Sequence, residues 1–218
     1  MPTLSWRADD IPVSERFDDP YFSLDDGLRE TEHVFLQGND LPERFTPGFH
    51  IAELGFGTGL NALAAWRLWE RSGQTTPLKF TSFEAFPLAA EDMKRALYHW
   101  PELHQWAQAL LASWAKGEKQ ITTPTLELTV IIGDANETLS SWNEKADAWF
   151  LDGFSPAKNP ELWSEPLMSE VAAHTKPGGT FATYTAAGPV RRGLEAGGFT
   201  VHRTDGFGRK RHMSRGVL

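Results

Sequence analysis

The segment Ala52-Glu53-Leu54-Gly55-Phe56-Gly57-Thr58-Gly59-Leu60 sets three alternating glycines where a short apolar run gives way to a helical pattern. Glycine tolerates positive φ and carries no side chain, so such a loop lets backbone come close to a bound molecule. The spacing is Gly-x-Gly-x-Gly rather than the Gly-x-Gly-x-x-Gly of a dinucleotide site, and no Gly-Lys-Ser/Thr follows as a phosphate loop requires. Glu53, two residues before the first glycine, suits a positively charged ligand better than a phosphate. A ligand with an amino group and a sulfonium, as in S-adenosylmethionine, meets that condition.

Two further carboxylates fall at the ends of later apolar runs. Glu84 closes Ser82-Phe83-Glu84, 29 residues after Gly55, where a strand-end acid can accept both hydroxyls of a ribose. Asp134 closes Ile132-Gly133-Asp134, where it can accept from the exocyclic amine of adenine or simply cap a helix before Asn136. Asp152 opens the loop Asp152-Gly153-Phe154-Ser155-Pro156-Ala157-Lys158-Asn159-Pro160. A methyl acceptor must present a lone pair in line with the donor carbon, and a carboxylate here can position an amine and take its proton. In the same loop Phe154 can stack on a base and Lys158 can meet a phosphate. Alternatively, Asp152 only caps this loop, with Pro156 and Pro160 shaping it.

The elements that position these residues follow an α/β rhythm. Apolar runs at 49–56, 78–85, 126–133, 148–152 and 179–185 predict five parallel strands buried on both faces. Helical spacing predicts helices over 60–71, 88–97, 103–115, 160–175 and 189–196, with Pro160 and Pro189 in first turns. Residues 199–204 and 211–217 flank Asp205-Gly206-Phe207-Gly208 and predict an antiparallel hairpin, for seven strands in all. Helices should cover both faces. Residues 1–45 break the rhythm and are expected to form an amino-terminal cover, with a strand near His33 to Leu36; residues 46–218 make up the main domain, the whole being one compact unit.

Several blocks resemble the amino-terminal methyltransferase domain of the bifunctional tRNA wobble-uridine enzyme MnmC. They are Asp18-Asp19-Pro20-Tyr21-Phe22-Ser23 with Asp26-Gly27-Leu28, Glu53 through Asn61, Phe150 through Pro160, Phe181 through Ala186, and Val190 through Leu194 with Gly206-Phe207-Gly208. The glycine loop alone resembles only the broad class-I methyltransferase superfamily; Leu-Asp-Gly-Phe-Ser-Pro-Ala-Lys-Asn-Pro narrows the likeness. The resemblance implies a Rossmann-like fold and methyl transfer from S-adenosylmethionine, leaving S-adenosylhomocysteine, to the amine of 5-aminomethyl-2-thiouridine at the wobble position. It implies Asp152 as the catalytic residue. It carries cofactor binding onto Glu53, the loop Gly55, Phe56, Gly57, Thr58 and Gly59, Glu84 and Asp134, and onto Tyr21 and Asp25 in the cover. Asp25-Asp26-Gly27 also reads as a plain turn. Bifunctional members continue into an FAD-dependent oxidase domain, whereas this sequence stops after its last expected strand; no FAD is expected in this chain, and an oxidase would be a fused or separate partner.

Charge bears on the acceptor. The 218 residues carry a net −8, yet residues 191–215 hold seven Lys/Arg against two acids, +5, which leaves −13 elsewhere. Such a tail, with Arg209, Lys210 and Arg211 at its turn, can grip the phosphates of an anticodon stem-loop while the wobble base turns into the pocket. Methylation of a small-molecule amine, or a non-catalytic tRNA-binding module, remain the other readings. With no cysteine, thiolate metal sites and disulfides are excluded, and the histidine spacing suggests no metal. No apolar run approaches a membrane span, no signal segment leads the chain, and the cytoplasm is the expected compartment.

Overall fold

The structure, a computed structural model, describes residues 2–7 and 10–218. Eleven strands and seven α-helices are described: β1 Leu4–Arg7, β2 Ile11–Ser14, β3 Asp19–Pro20, α1 Gly27–Thr31, β4 His50–Leu54, α2 Leu60–Arg71, β5 Leu78–Glu84, α3 Ala90–Leu97, α4 His104–Ala115, β6 Gln120–Thr122, β7 Leu126–Ile132, α5 Ala135–Thr138, β8 Ala146–Leu151, α6 Glu165–Ala173, β9 Thr175–Thr183, α7 Gly188–Ala196, β10 Thr200–Asp205 and β11 His212–Val217. The main sheet has the order β10-β11-β9-β8-β4-β5-β7-β6. Its five inner strands, β9, β8, β4, β5 and β7, run parallel, and β10 and β11 close one edge as the antiparallel hairpin.

Side chains alternate across this sheet because the strand period is two. Ile51, Phe80 and Phe150 enter one core with α2 and α4, while Ala52, Leu54, Trp149 and Leu151 enter the other with α6 and α7. Both faces are dry, which is why these strands read as continuous apolar runs. The chain crosses from β4 to β5 on one side and later returns to β8 on the other. This reversal opens a crevice at the carboxyl ends of β4 and β8, the place where open α/β sheets hold ligands.

The short helices α1 and α5 were not expected, β9 runs over Thr175–Thr183 rather than 179–185, and four further differences have clear physical reasons. The sheet has eight strands, not seven, because Gln120–Thr122 pairs antiparallel with β7 at the far edge; three residues with only Ile121 buried are too short to show a period. The segment near His33 is not a strand but a π-helical turn, Glu32–Leu36, whose Val34, Phe35 and Leu36 are all buried. Three consecutive apolar residues carry no periodicity that separates the two. The helix expected over 160–175 breaks into a 3-10 turn, Pro160–Trp163, and α6. Ser164 caps α6, and Pro166 is tolerated because it falls in the first turn. The cover, finally, holds its own sheet, β1-β2-β3.

Residues 27–45 are built into the main core. Leu28, Phe35, Leu41 and Phe45 share a cluster with Ile51 and Phe150. Asn39 donates to the Trp149 carbonyl at 3.3 Å and accepts from the Thr180 hydroxyl at 2.6 Å. Among the described residues no helix is long and apolar enough to cross a membrane.

Candidate active site

The loop after β4 and the loop after β8 touch backbone to backbone. Gly55 takes φ +86°, and a Cβ there would lie 3.2 Å from the Asp152 carbonyl oxygen and 3.3 Å from the Gly153 Cα. Only glycine meets both the left-handed backbone and the close approach. Gly57 and Gly59 also have positive φ. The Tyr21 ring of the cover lies over Gly57, 3.2 Å from where a Cβ would stand, while Gly59 faces Leu110, away from the cleft. These two loops, the ends of β5 and β7, and residues 16–35 of the cover enclose a cleft of about 680 Å³. That is within the usual range for a small-molecule site.

At the end of β5, Glu84 is buried, and its Oε2 accepts from the Gly57 N–H at 2.9 Å while its Oε1 accepts from the Phe86 N–H at 2.6 Å. Burial raises its pKa, opposed by these backbone donors. Each carboxylate oxygen keeps a lone pair for a ligand hydroxyl. At the end of β7, Asp134 lines the cleft and also caps α5: its Oδ1 accepts from Asn136 N and Nδ2, both at 2.9 Å. The cap reading of Asp134 is met, and its Oδ2 takes no part in the cap.

Asp152 faces the cleft from the end of β8. Its Oδ1 accepts from the Gly153 N–H at 2.8 Å and its Oδ2 accepts from Asn61 Nδ2 at 2.8 Å. Burial lifts its pKa to about 6; the Gly153 and Asn61 donors pull it down, nearby Glu30 pushes it up and Lys210 pulls it down. Asp152 is thus mostly ionised at neutral pH and able to take up a proton.

Glu53 requires a correction. It does not line the cleft. It is fully buried beneath Asn61, accepting from Asn61 Nδ2 at 2.9 Å and from the Ser82 hydroxyl at 2.7 Å. Burial raises its pKa to about 8, against the Ser82 and Asn61 donors, with the charges of Asp152 and Glu84 adding to the rise. A carboxyl so placed holds Asn61 rather than a charged ligand. Asn61, on the first turn of α2, is the residue that sequence reasoning missed: it ties Glu53 to Asp152 and accepts from the Thr31 hydroxyl at 2.7 Å. Its only signal was its place at the end of the glycine-loop block. Glu30 and Tyr184, both lining the cleft, were missed as well.

The cover and the tail divide the remaining candidates. Tyr21 lies against the cleft with its phenol held protonated by burial and by the charges of Glu84 and Asp92. Asp25 lines the rim and stands 3.8 Å from Arg209, while Asp26 caps α1 by accepting from Arg29 N at 3.1 Å. Phe154 stacks on Phe17 at 4.7 Å and meets Tyr21 edge-on at 5.0 Å, so one of its faces is taken by protein. Lys158 is not brought to the cleft; it pairs with Asp18 at 3.2 Å and Asp19 at 3.7 Å and fastens the loop to the cover. Arg209 and Lys210 reach the rim, whereas Arg211 does not line it. Lys210 Nζ stands 2.7 Å from Glu30 Oε1 and 4.0 Å from the centre of the Tyr184 ring.

A mostly parallel sheet closed by an antiparallel hairpin, with a glycine loop and strand-end acids around one crevice, defines a class-I, Rossmann-like methyltransferase fold. Residues 101–218 match the model of the S-adenosyl-L-methionine-dependent methyltransferase family, and the chain belongs to that family. Among solved structures it is similar to MnmC2 from Aquifex aeolicus, with 28% identity and a TM-score of 0.80 over 100% of this chain and 70% of that one. Spermidine synthase from Thermotoga maritima shares the fold at 10% identity and a TM-score of 0.60, over 99% of this chain and 71% of that one. Precorrin-6y C5,15-methyltransferase from Geobacter metallireducens does so at 10% and 0.54, over the whole of both chains. The family and the first of these structures agree with the resemblance carried by the sequence blocks.

Proposed function

We propose that this chain methylates the primary amine of 5-aminomethyl-2-thiouridine at the tRNA wobble position, producing 5-methylaminomethyl-2-thiouridine. The observation that carries the reading is Asp152: a carboxylate at the cleft, fixed by Asn61 and Gly153, with a pKa lifted to about 6. The likeness to MnmC2 and the sequence blocks around Asp152 support the choice of acceptor.

The residues present fit S-adenosylmethionine: a cleft of suitable volume, a glycine loop that admits close approach, and acids at the ends of β5 and β7. When bound, this cofactor would supply a methyl group made electrophilic by its sulfonium, the methyl–sulfur bond breaking to leave the neutral thioether S-adenosylhomocysteine. Glu84 would accept the ribose hydroxyls, Asp134 would accept from the adenine amine, and Tyr21 covers the glycine loop. Asp152 orients the acceptor ammonium and takes its proton, so that the nitrogen lone pair becomes free to form the new bond. Residues of the cover, Phe17 and Tyr21 among them, wall the cleft beside that position. The exposed cations of the tail, Arg203 and Arg211 foremost, supply phosphate contacts.

The test is to incubate the protein with labelled cofactor and bulk tRNA lacking the final methyl group, then digest the tRNA and identify the labelled nucleoside. Label in 5-methylaminomethyl-2-thiouridine, lost in Asp152→Asn while cofactor affinity is retained, is expected. No label in tRNA, despite tight cofactor binding, overturns the proposal and favours a small-molecule amine or a binding module.

A further inference from the structure

The cleft contains a primary ammonium supplied by the protein itself. Lys210, on the turn between β10 and β11, sends its Nζ to Glu30 Oε1 at 2.7 Å and over the Tyr184 ring at 4.0 Å. The Glu30 side chain is 11% exposed and that of Lys210 42%, so a buried carboxylate meets an ammonium that still touches solvent. An ion pair with a solvent-exposed partner contributes little to stability, so stability alone is a weak account of it. Glu30, Tyr184 and Lys210 all line the same cleft as Asp152.

The frame around this pair is rigid. Thr31, next to Glu30, donates to Asn61, which donates to Asp152, and the Tyr184 hydroxyl donates to the Gly153 carbonyl at 2.7 Å. One carboxylate, next to Thr31 on α1, and one aromatic face, tied to the Gly153 carbonyl, therefore stand beside Asp152. Those are the groups that recognise an alkylammonium: a charge-assisted acceptor and a π surface. Lys210 is the member exposed to solvent. Its stem is flexible, and its neighbours Arg209 and Arg211 are exposed on a turn with excess positive charge, where a polyanion would settle.

We propose that Glu30 and the Tyr184 ring form the seat that recognises the acceptor's primary ammonium, and that Lys210 holds this seat until a nucleic-acid phosphate draws it away. The inference rests on the proposed function for the identity of the acceptor, but the seat itself can be tested without tRNA.

With the protein saturated with S-adenosylhomocysteine, n-butylammonium is titrated by calorimetry into the wild type, Lys210→Met and the double variant Glu30→Gln with Lys210→Met. Removing the resident ammonium should tighten butylammonium binding by about tenfold, and removing Glu30 as well should abolish the gain, since a charge-assisted hydrogen bond is worth about ten- to a hundredfold in affinity. In the tRNA assay, Glu30→Gln should raise KM for the tRNA by a similar factor and change kcat less. Equal butylammonium binding by the wild type and Lys210→Met overturns the seat, and the pair is then only a strap between α1 and the hairpin turn. If Lys210→Met gains affinity while the wild type labels no tRNA, the seat stands and the tRNA reading falls. If the wild type labels tRNA while Lys210→Met gains nothing, the tRNA reading stands and the seat falls. Should Glu30→Gln not fold, the comparison between the wild type and Lys210→Met still decides.

Discussion

Asn61 Nδ2 donates to Asp152 Oδ2 at 2.8 Å and, through its other hydrogen, to Glu53 Oε1 at 2.9 Å. One amide on the first turn of α2 thereby joins a carboxyl buried in the sheet to the carboxylate that faces the cleft. The Thr31 hydroxyl, donating to Asn61 Oδ1, fixes which way the amide points.

Asn61→Ala should lower methyl transfer by about ten- to a hundredfold, the range of a hydrogen bond to a charged group. The pH profile identifies the cause. Transfer requires ionised Asp152, so kcat/KM should fall as pH drops through about 6 in the wild type. Asn61 stabilises the ionised form; without it the pKa rises, and the acid limb of the profile should move to higher pH. A loss of rate with an unmoved limb would show that Asn61 does not act through Asp152.

Glu53 links stability to pH in the opposite sense from a surface carboxylate. Its pKa is about 8 when folded and near 4.5 when exposed by unfolding. Its contribution is therefore fully present below about pH 4.5 and is lost as pH rises toward 8, because the folded state binds the extra proton. Glu53→Gln keeps an oxygen for Asn61 and removes the titration. Thermal melts from about pH 5 to about pH 9 should show a flatter decline in the variant and a higher Tm than the wild type at the alkaline end.

Gly55→Ala and Gly73→Ala both place a side chain at positive φ, +86° and +76°. Each should lose about 1–2 kcal/mol of stability from that conformation alone. They differ in what the new Cβ meets: open space at Gly73, the Asp152 and Gly153 backbone at Gly55. Only Gly55→Ala should therefore weaken cofactor binding and transfer as well, measured by titration and by kcat/KM at a temperature where both variants are folded.

Arg203 and Arg211 are exposed on the hairpin, with no ion pair among the described residues. Replacing both with Ala should weaken tRNA binding at low salt and make the slope of log affinity against log salt less negative by about 0.7–0.9 for each phosphate that is no longer neutralised. Cofactor affinity should be unchanged. An unaltered slope would place the tRNA on another surface.

The glycine loop, the strand-end acids and the five parallel strands were all legible in the residues, because strand burial on both faces and left-handed backbone impose local residue types. Glu84, Asp134 and Asp152 could be assigned to one edge for the same reason: a strand's end is a local property, and parallel strands bring equivalent ends together. Glu53 shows where local reasoning stops. Its position two residues before Gly55 fixed the strand it occupies, but only the packing of α2 over β4 turned its carboxyl beneath Asn61 instead of into the cleft. Lys158 and Lys210 were equally plausible phosphate contacts as isolated cations. The cover decided between them and the solvent, by bringing Asp18 and Asp19 to the first and Glu30 to the second across more than a hundred residues of chain. Residue types thus determined the sheet and the chemistry available at its edge; which charges meet was decided by packing between segments distant in sequence, for which a linear pattern carries no distance information.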